Sequence, residues 1–135
     1  LTRSSLVSDR RAERDKDITE NPDTWKFGSR EIEITEMNKS DILQAALHCV
    51  KRIFYYRKQI DYAKRQINKA AEDKDLARFE KKLAFSEGVM TKFSEKLFLL
   101  EDRASELGFE LPDDYPSLKR ALNEQKKEEQ NITQL

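Results

Sequence analysis

Glycine and proline are scarce in this chain, three of each among 135 residues. Little is therefore available for tight turns, many short strands or a backbone that closes around a phosphate. A single cysteine, Cys49, rules out an intramolecular disulfide framework and fits a reducing compartment. Cys49 adjoins the lone histidine, His48. The two would project about 100° apart on a helix, and the Cys/His spacings of a metal site are missing. No metal and no cofactor is expected. No apolar run approaches the eighteen or so residues that span a bilayer, and the N-terminal residues lack the apolar core of a signal peptide. The expectation is a soluble intracellular protein, cytoplasmic or, in a eukaryote, nuclear, without a membrane partner. Net charge is absent too: 26 Lys/Arg balance 26 Asp/Glu, so bulk electrostatics draws the chain to neither nucleic acid nor membrane. There is no nucleophile elbow, and no carboxylate pair sits in an apolar context that would tune it for acid–base work. The chain is not expected to be an enzyme.

What the chain has instead is charge and periodicity. Charged residues make up 39% and hydrophobic ones 37%, the balance of long exposed helices. The neutral total conceals one basic element, since residues 39 to 71 hold eight Lys/Arg against Asp41 and Asp61.

Residues 1 to 24 contain Asp9-Arg10-Arg11-Ala12-Glu13-Arg14-Asp15-Lys16-Asp17, in which eight of nine side chains are charged. That run has no apolar periodicity to drive burial and predicts a flexible arm. Residues 25 to 38 form an extended segment in which 30 to 36 alternate like one short strand, to be covered by helices or by a partner. Asn38 with Asp41 makes a capping box, so a helix begins near residue 39 or 41.

Two seams with spacings of three and four follow. Leu43, Ala46, Val50, Ile53, Arg57, Ile60, Lys64, Ile67 and Ala71 define a helix over 39 to 71. Leu76, Phe79, Leu83, Ser86, Met90, Phe93, Leu97, Leu100, Ala104 and Leu107 define another over 76 to 107. The step of five from Ala71 to Leu76 breaks the phase and places a turn at 72 to 75. Folded there, residue i meets a residue near 147 minus i, pairing Ile53 with Phe93 and Val50 with Leu97. Gly108 stands where a left-handed C′ residue is wanted, with Pro112 beyond it. A short helix follows over 113 to 130, and 131 to 135 form a frayed tail. The fold class is all-α: a long antiparallel helical hairpin, coiled-coil-like, spanning 39 to 108, with a short C-terminal helix and an extended N-terminal arm that includes one short strand.

Two surfaces of this scaffold are candidates for binding. One flank of the first long helix carries Gln44, His48, Lys51, Tyr55, Lys58, Tyr62, Arg65 and Lys69 on a single stripe, with Arg52 beside it. Lys51, Arg52, Tyr55, Lys58, Tyr62, Arg65 and Lys69 interleave cations with aromatics, which suits phosphates and bases or an acidic protein surface. A solvated helix face is the plainer reading. The second helix carries Phe85, Val89, Phe98 and Leu99 off its seam, an apolar face that needs a bundle core, a partner or a second copy to cover it. The expected function is a non-enzymatic protein–protein interaction module: an adaptor, an assembly factor or an inhibitor of a larger complex. A nucleic-acid-binding accessory protein is the alternative, and a homodimer through the apolar face is compatible with either.

Overall fold

The computed structural model describes the backbone of residues 3–70 and 72–134, and the side chains of 10–70 and 72–131. Ala71, expected to close the first seam, and residues 1, 2 and 135 of the expected arm and tail fall outside these. The chain is mostly helical with one small sheet. Its elements are α1 (Arg3–Thr19), β1 (Thr24–Phe27), β2 (Arg30–Glu33), a 3-10 turn (Ile34–Glu36), α2 (Lys39–Lys69), α3 (Asp73–Glu106) and α4 (Tyr115–Gln134).

The caps explain most of the boundaries. Asn38 Oδ1 accepts from the Asp41 N–H at 2.8 Å while Asp41 Oδ2 accepts from the Asn38 N–H, so the capping box forms and α2 starts at Lys39. α3 ends in a Schellman motif. There Gly108 takes a φ of 84°, the Phe109 N–H donates to the Ala104 carbonyl at 3.0 Å, and the Gly108 N–H donates to that of Ser105 at 3.1 Å. Asp114 caps α4 by accepting from the Ser117 N–H at 2.8 Å and from the Ser117 hydroxyl at 3.0 Å, and those bonds hold its carboxyl below the usual range. α4 runs on to Gln134 instead of ending at 130.

Two corrections concern the first 38 residues. The expected flexible arm is largely the helix α1, whose inward face carries Asp15, Ile18 and Thr19, with Arg11 and Ala12 half-buried one turn earlier. The expected single strand is one half of a hairpin, with Trp25 opposite Ile32 and Phe27 opposite Arg30. Gly28, at φ 61°, and Ser29 make its two-residue turn. A glycine with positive φ followed by an ordinary residue is the type II′ arrangement that matches strand twist.

The third correction is the register of α2 on α3. The connection is residues 70 to 72, not 72 to 75. Asp73 and Asp75 lie in the first turn of α3, where they complement the helix dipole, and Lys69 does the same at the end of α2. The ring contacts His48–Phe93, Tyr56–Phe85 and Tyr62–Phe79, at 6.1, 6.3 and 6.1 Å, show residue i facing a residue near 141 minus i. Phe93 therefore stands opposite His48 rather than Ile53. The inward line of α2 is also partly turned: Leu43, Ala46 and Ile60 of the expected seam are buried, but so are Cys49, Tyr56 and Ala63 beside it, while Val50 and Ile53 are half-buried and Arg57 and Lys64 are exposed. On α3 the buried line is Ser86, Val89, Phe93, Lys96, Leu100 and Ala104.

The core joins these helices to Trp25, Ile34 and Met37 from the hairpin region, to Leu111 from the connection after α3, and to Leu118 and Leu122 from α4. Small residues of α2 (Ala45, Ala46, Cys49, Ala63) combine with large ones of α3 (Phe93, Leu100), which lets the two helices pack closely.

Lys96 is buried within this core. Its ammonium donates to the carbonyl of Asn21 at 2.6 Å and to that of Thr24, bracketing the connection between α1 and β1. Desolvation pulls its pKa down, so the two carbonyls must hold the charge. Lys96→Met would keep the packing but leave the Thr24 carbonyl without a donor. The expected loss is about 1–3 kcal/mol, read as a lower urea midpoint with unchanged slope; an unmoved midpoint would show that the ammonium holds nothing in place.

Candidate interaction surfaces

α1 divides the basic stripe of α2 into two parts. In the part nearer the base, Arg52 turns inward and Tyr55 is half-buried, with the Arg11 guanidinium 4.6 Å from its ring centroid. Lys51 is exposed and lies 5.8 Å from the ring of Tyr115 at the start of α4. Further out, Lys58, Tyr62, Arg65 and Lys69 are all exposed. Lys58 covers the ring of Phe54 at 4.6 Å, and Lys82 of α3 covers that of Tyr62 at 5.0 Å. The structure thus brings the four outer members together on the distal half of the α2–α3 pair and withdraws Arg52 and Tyr55 from it.

The apolar face is divided as well. Val89 is in the core. Phe85 is half-buried against Tyr56, with Lys16 of α1 5.4 Å from its centroid. Leu99 is half-buried and lines a cleft of about 380 Å³ with Asp23, Glu33, Asp102, Arg103 and Glu106. Phe98 alone of the four stands out in solvent, 67% exposed. Most of this face is therefore covered within the chain, by α1 and the segment beneath it. An open groove of about 470 Å³ on the α2–α4 side is lined by Val50, Lys51, Phe54 and Tyr115.

Sequence reasoning missed the polar cluster under α1. The Asp15 carboxylate is fully buried and accepts a hydrogen bond from the Tyr56 hydroxyl. Arg52 Nε stands 3.1 Å from Asp15 Oδ1, yet its N–H is not aimed at that oxygen, and neither atom has a hydrogen-bond partner. That contact is Coulombic. Burial raises the pKa of Asp15 against the opposing pull of Tyr56 and Arg52, and burial likewise raises that of Tyr56. Next to this cluster His48 lies between Trp25, edge-on at 5.5 Å, and Phe93, and its Nε2 is buried without a partner. Cys49 is buried behind it, and desolvation pushes its thiol far up, away from the reactive thiolate. The missed signal was spacing. Asp15, Ile18 and the half-buried Arg11 recur every three or four residues, a helical stripe in which two of the three members are charged.

Among the described residues no group of three or more His, Cys, Asp or Glu side chains is placed to hold a metal, and no helix is long and apolar enough to cross a membrane.

His48 makes acid stability measurable. Burial, then Arg52, Lys51 and Arg14, lower its pKa from 6.5 to about 4. The folded chain refuses a proton that the unfolded chain accepts, so stability present above pH 6.5 declines as the pH falls toward 4. The loss attributable to His48 is about 2 kcal/mol after allowance for its partial exposure. Asp15, with a raised pKa, acts in the opposite sense. Urea midpoints between pH 7 and pH 4 should fall less steeply in His48→Gln than in the unaltered chain; parallel curves would mean that His48 is not held neutral.

Comparison with protein-family models, with curated proteins and with solved structures finds no match to this chain.

Proposed function

We propose that this chain is a non-enzymatic protein–protein interaction module, in which a rigid, coiled-coil-like α2–α3 hairpin presents its distal half to an acidic surface of a larger assembly. Adaptor, assembly factor and inhibitor are the roles such a module fills. The observation that carries the reading is the charge of that half. Residues 57 to 82 hold nine Lys/Arg against five Asp/Glu, and all nine cations are exposed. Among the described residues the one ion pair in this stretch is Arg78 with Asp75, at 3.9 Å. Exposed cations left so free of intramolecular carboxylates steer encounter with an acidic partner and contribute specificity once docked. Phe54 and Tyr62, 56% and 41% exposed, supply apolar area among them.

Nucleic acid is the second reading, and the aromatic geometry weighs against it. Base stacking needs open ring faces. Tyr62 has Lys82 over its ring and Phe79 packed nearly perpendicular to it, Phe54 has Lys58 over it, and Tyr55 is under Arg11. The cations remain available, but the stacking platform is occupied.

Affinity isolation on the immobilised full chain, with and without nuclease, separates the two. A bound protein that survives nuclease and is reduced roughly tenfold or more by Lys58→Glu, Arg65→Glu and Lys69→Glu together, with Lys126→Glu and Lys127→Glu as a control that retains it, is the expected result. Helicity should be unchanged, because all three residues are exposed. Loss of everything to nuclease would establish the nucleic-acid reading instead, and an unaltered capture by the triple variant would remove the distal surface from consideration.

A further inference from the structure

α1 is held in a way the other helices are not. α2 and α3 bury apolar side chains along their length, whereas the described part of α1 fully buries only Asp15, Ile18 and Thr19. Its central anchor is a carboxylate inside the protein. Beneath it lie two residues of the basic stripe, Arg52 and Tyr55, and one of the apolar face, Phe85. α1 places a complementary group on each of them: Asp15 on Arg52 and Tyr56, Arg11 over Tyr55, Lys16 over Phe85. The surface that the sequence marks for binding is already bound, by the chain itself.

We propose that this surface is a docking groove for an amphipathic helix of a partner protein presenting one carboxylate and, three residues on, an aliphatic side chain, and that α1 is its exchangeable resident. The floor defines that chemistry. The Arg52 guanidinium and the Tyr56 hydroxyl converge on one carboxylate position, and the core cluster beside Trp25 receives an aliphatic group where Ile18 now sits. Rings on either side, Tyr55 and Phe85, take cations at the flanks of the incoming helix.

The resident leaves the site imperfectly satisfied. Asp15 Oδ1 and Arg52 Nε are both buried, close together and without an aligned hydrogen bond. Removing water from the carboxylate works against its ionised form. A helix whose carboxylate meets the guanidinium squarely gains charge-assisted hydrogen bonds that α1 does not make. The joint would permit exchange at the cost of one exposed ion pair. Lys96 fixes the carbonyls of Asn21 and Thr24, so the β-hairpin would keep its place, while the Lys26–Asp17 pair between β1 and α1, at 2.7 Å, would have to part for α1 to leave. None of these residues belongs to the distal surface, so this groove stands or falls separately from the role given to it.

The probe is a labelled synthetic peptide of residues 3 to 20, titrated by fluorescence anisotropy against the full chain. In the unaltered chain the tethered α1 competes at high effective concentration. Asp15→Lys sets a cation against Arg52 and should empty the groove, so the peptide is expected to bind this variant roughly tenfold or more tightly than the unaltered chain. A peptide carrying Asp15→Asn should lose about tenfold of that affinity, and adding Arg52→Glu to the chain should abolish binding. Equal binding to both chains, or indifference to the peptide's carboxylate, overturns the proposal. Should Asp15→Lys fail to give a helical spectrum, hydrogen exchange on the unaltered chain decides. Amides of residues 10 to 19 exchanging about a hundredfold or more faster than those of residues 89 to 104 supports a detachable α1, and equal protection overturns it.

Discussion

The register of α2 on α3 is the constraint from which the rest of the structure follows. With residue i facing a residue near 141 minus i, the rings of His48, Tyr56 and Tyr62 meet those of Phe93, Phe85 and Phe79. Each step along a helix turns a side chain by about 100°. Leu43, Ala46 and Ile60 stay inward, and facing Cys49, Tyr56 and Ala63 inward instead of Val50, Arg57 and Lys64 therefore turns the rest of the stripe. That rotation brings Arg52 and the Tyr56 hydroxyl to the side where α1 lies, and it puts the cations Arg57 and Lys64 into solvent.

The long helices, the capping box at Asn38 and the stop at Gly108 were legible because each has a local cause: a repeat of three and four, a reciprocal pair of hydrogen bonds, a residue free to take positive φ. The phase of the inward line was not. A two-helix reading seeks one best apolar stripe and so prefers Val50 and Ile53 to Cys49 and Tyr56. In the structure α2 meets α3, α4 and Trp25 on different sides, so residues off the central line, such as Leu47, Val50 and Ile53, are half-buried too. With several neighbours, apolarity alone no longer identifies the face that meets α3. The hairpin at 24 to 33 carried a usable signal in Gly28-Ser29 between two alternating runs.

Charged residues in the interior account for the other errors. Asp15 and Lys96 both sit at inward positions of their helices, and ordinary patterning assigns such residues to solvent. Each is tolerable only because of groups distant in sequence: Tyr56 and Arg52 for the carboxylate, the carbonyls of Asn21 and Thr24 for the ammonium. A helix held by a polar contact of this kind looks disordered in sequence, since its anchoring partners lie some forty residues away. The candidate surfaces suffered in the same way. Their residues were identifiable, but the fact that α1 occupies half of them was not.

That division has an energetic logic. The described part of α1 fully buries one apolar side chain, Ile18, and a helix gains its stability mostly from packing, so this part gains order chiefly from what it covers. The covered surface, with Tyr55, Phe85 and the inward-turned Arg52, would otherwise expose aromatic area and an awkwardly placed cation together. α1 thus closes over Arg52 and Tyr55 and leaves Lys58, Arg65 and Lys69 in solvent. Under the two proposals the covered part would select by shape and by the placement of a single carboxylate, because misplacement there leaves buried charge unpaired. The open part would act through summed charge, which tolerates many geometries and weakens with salt.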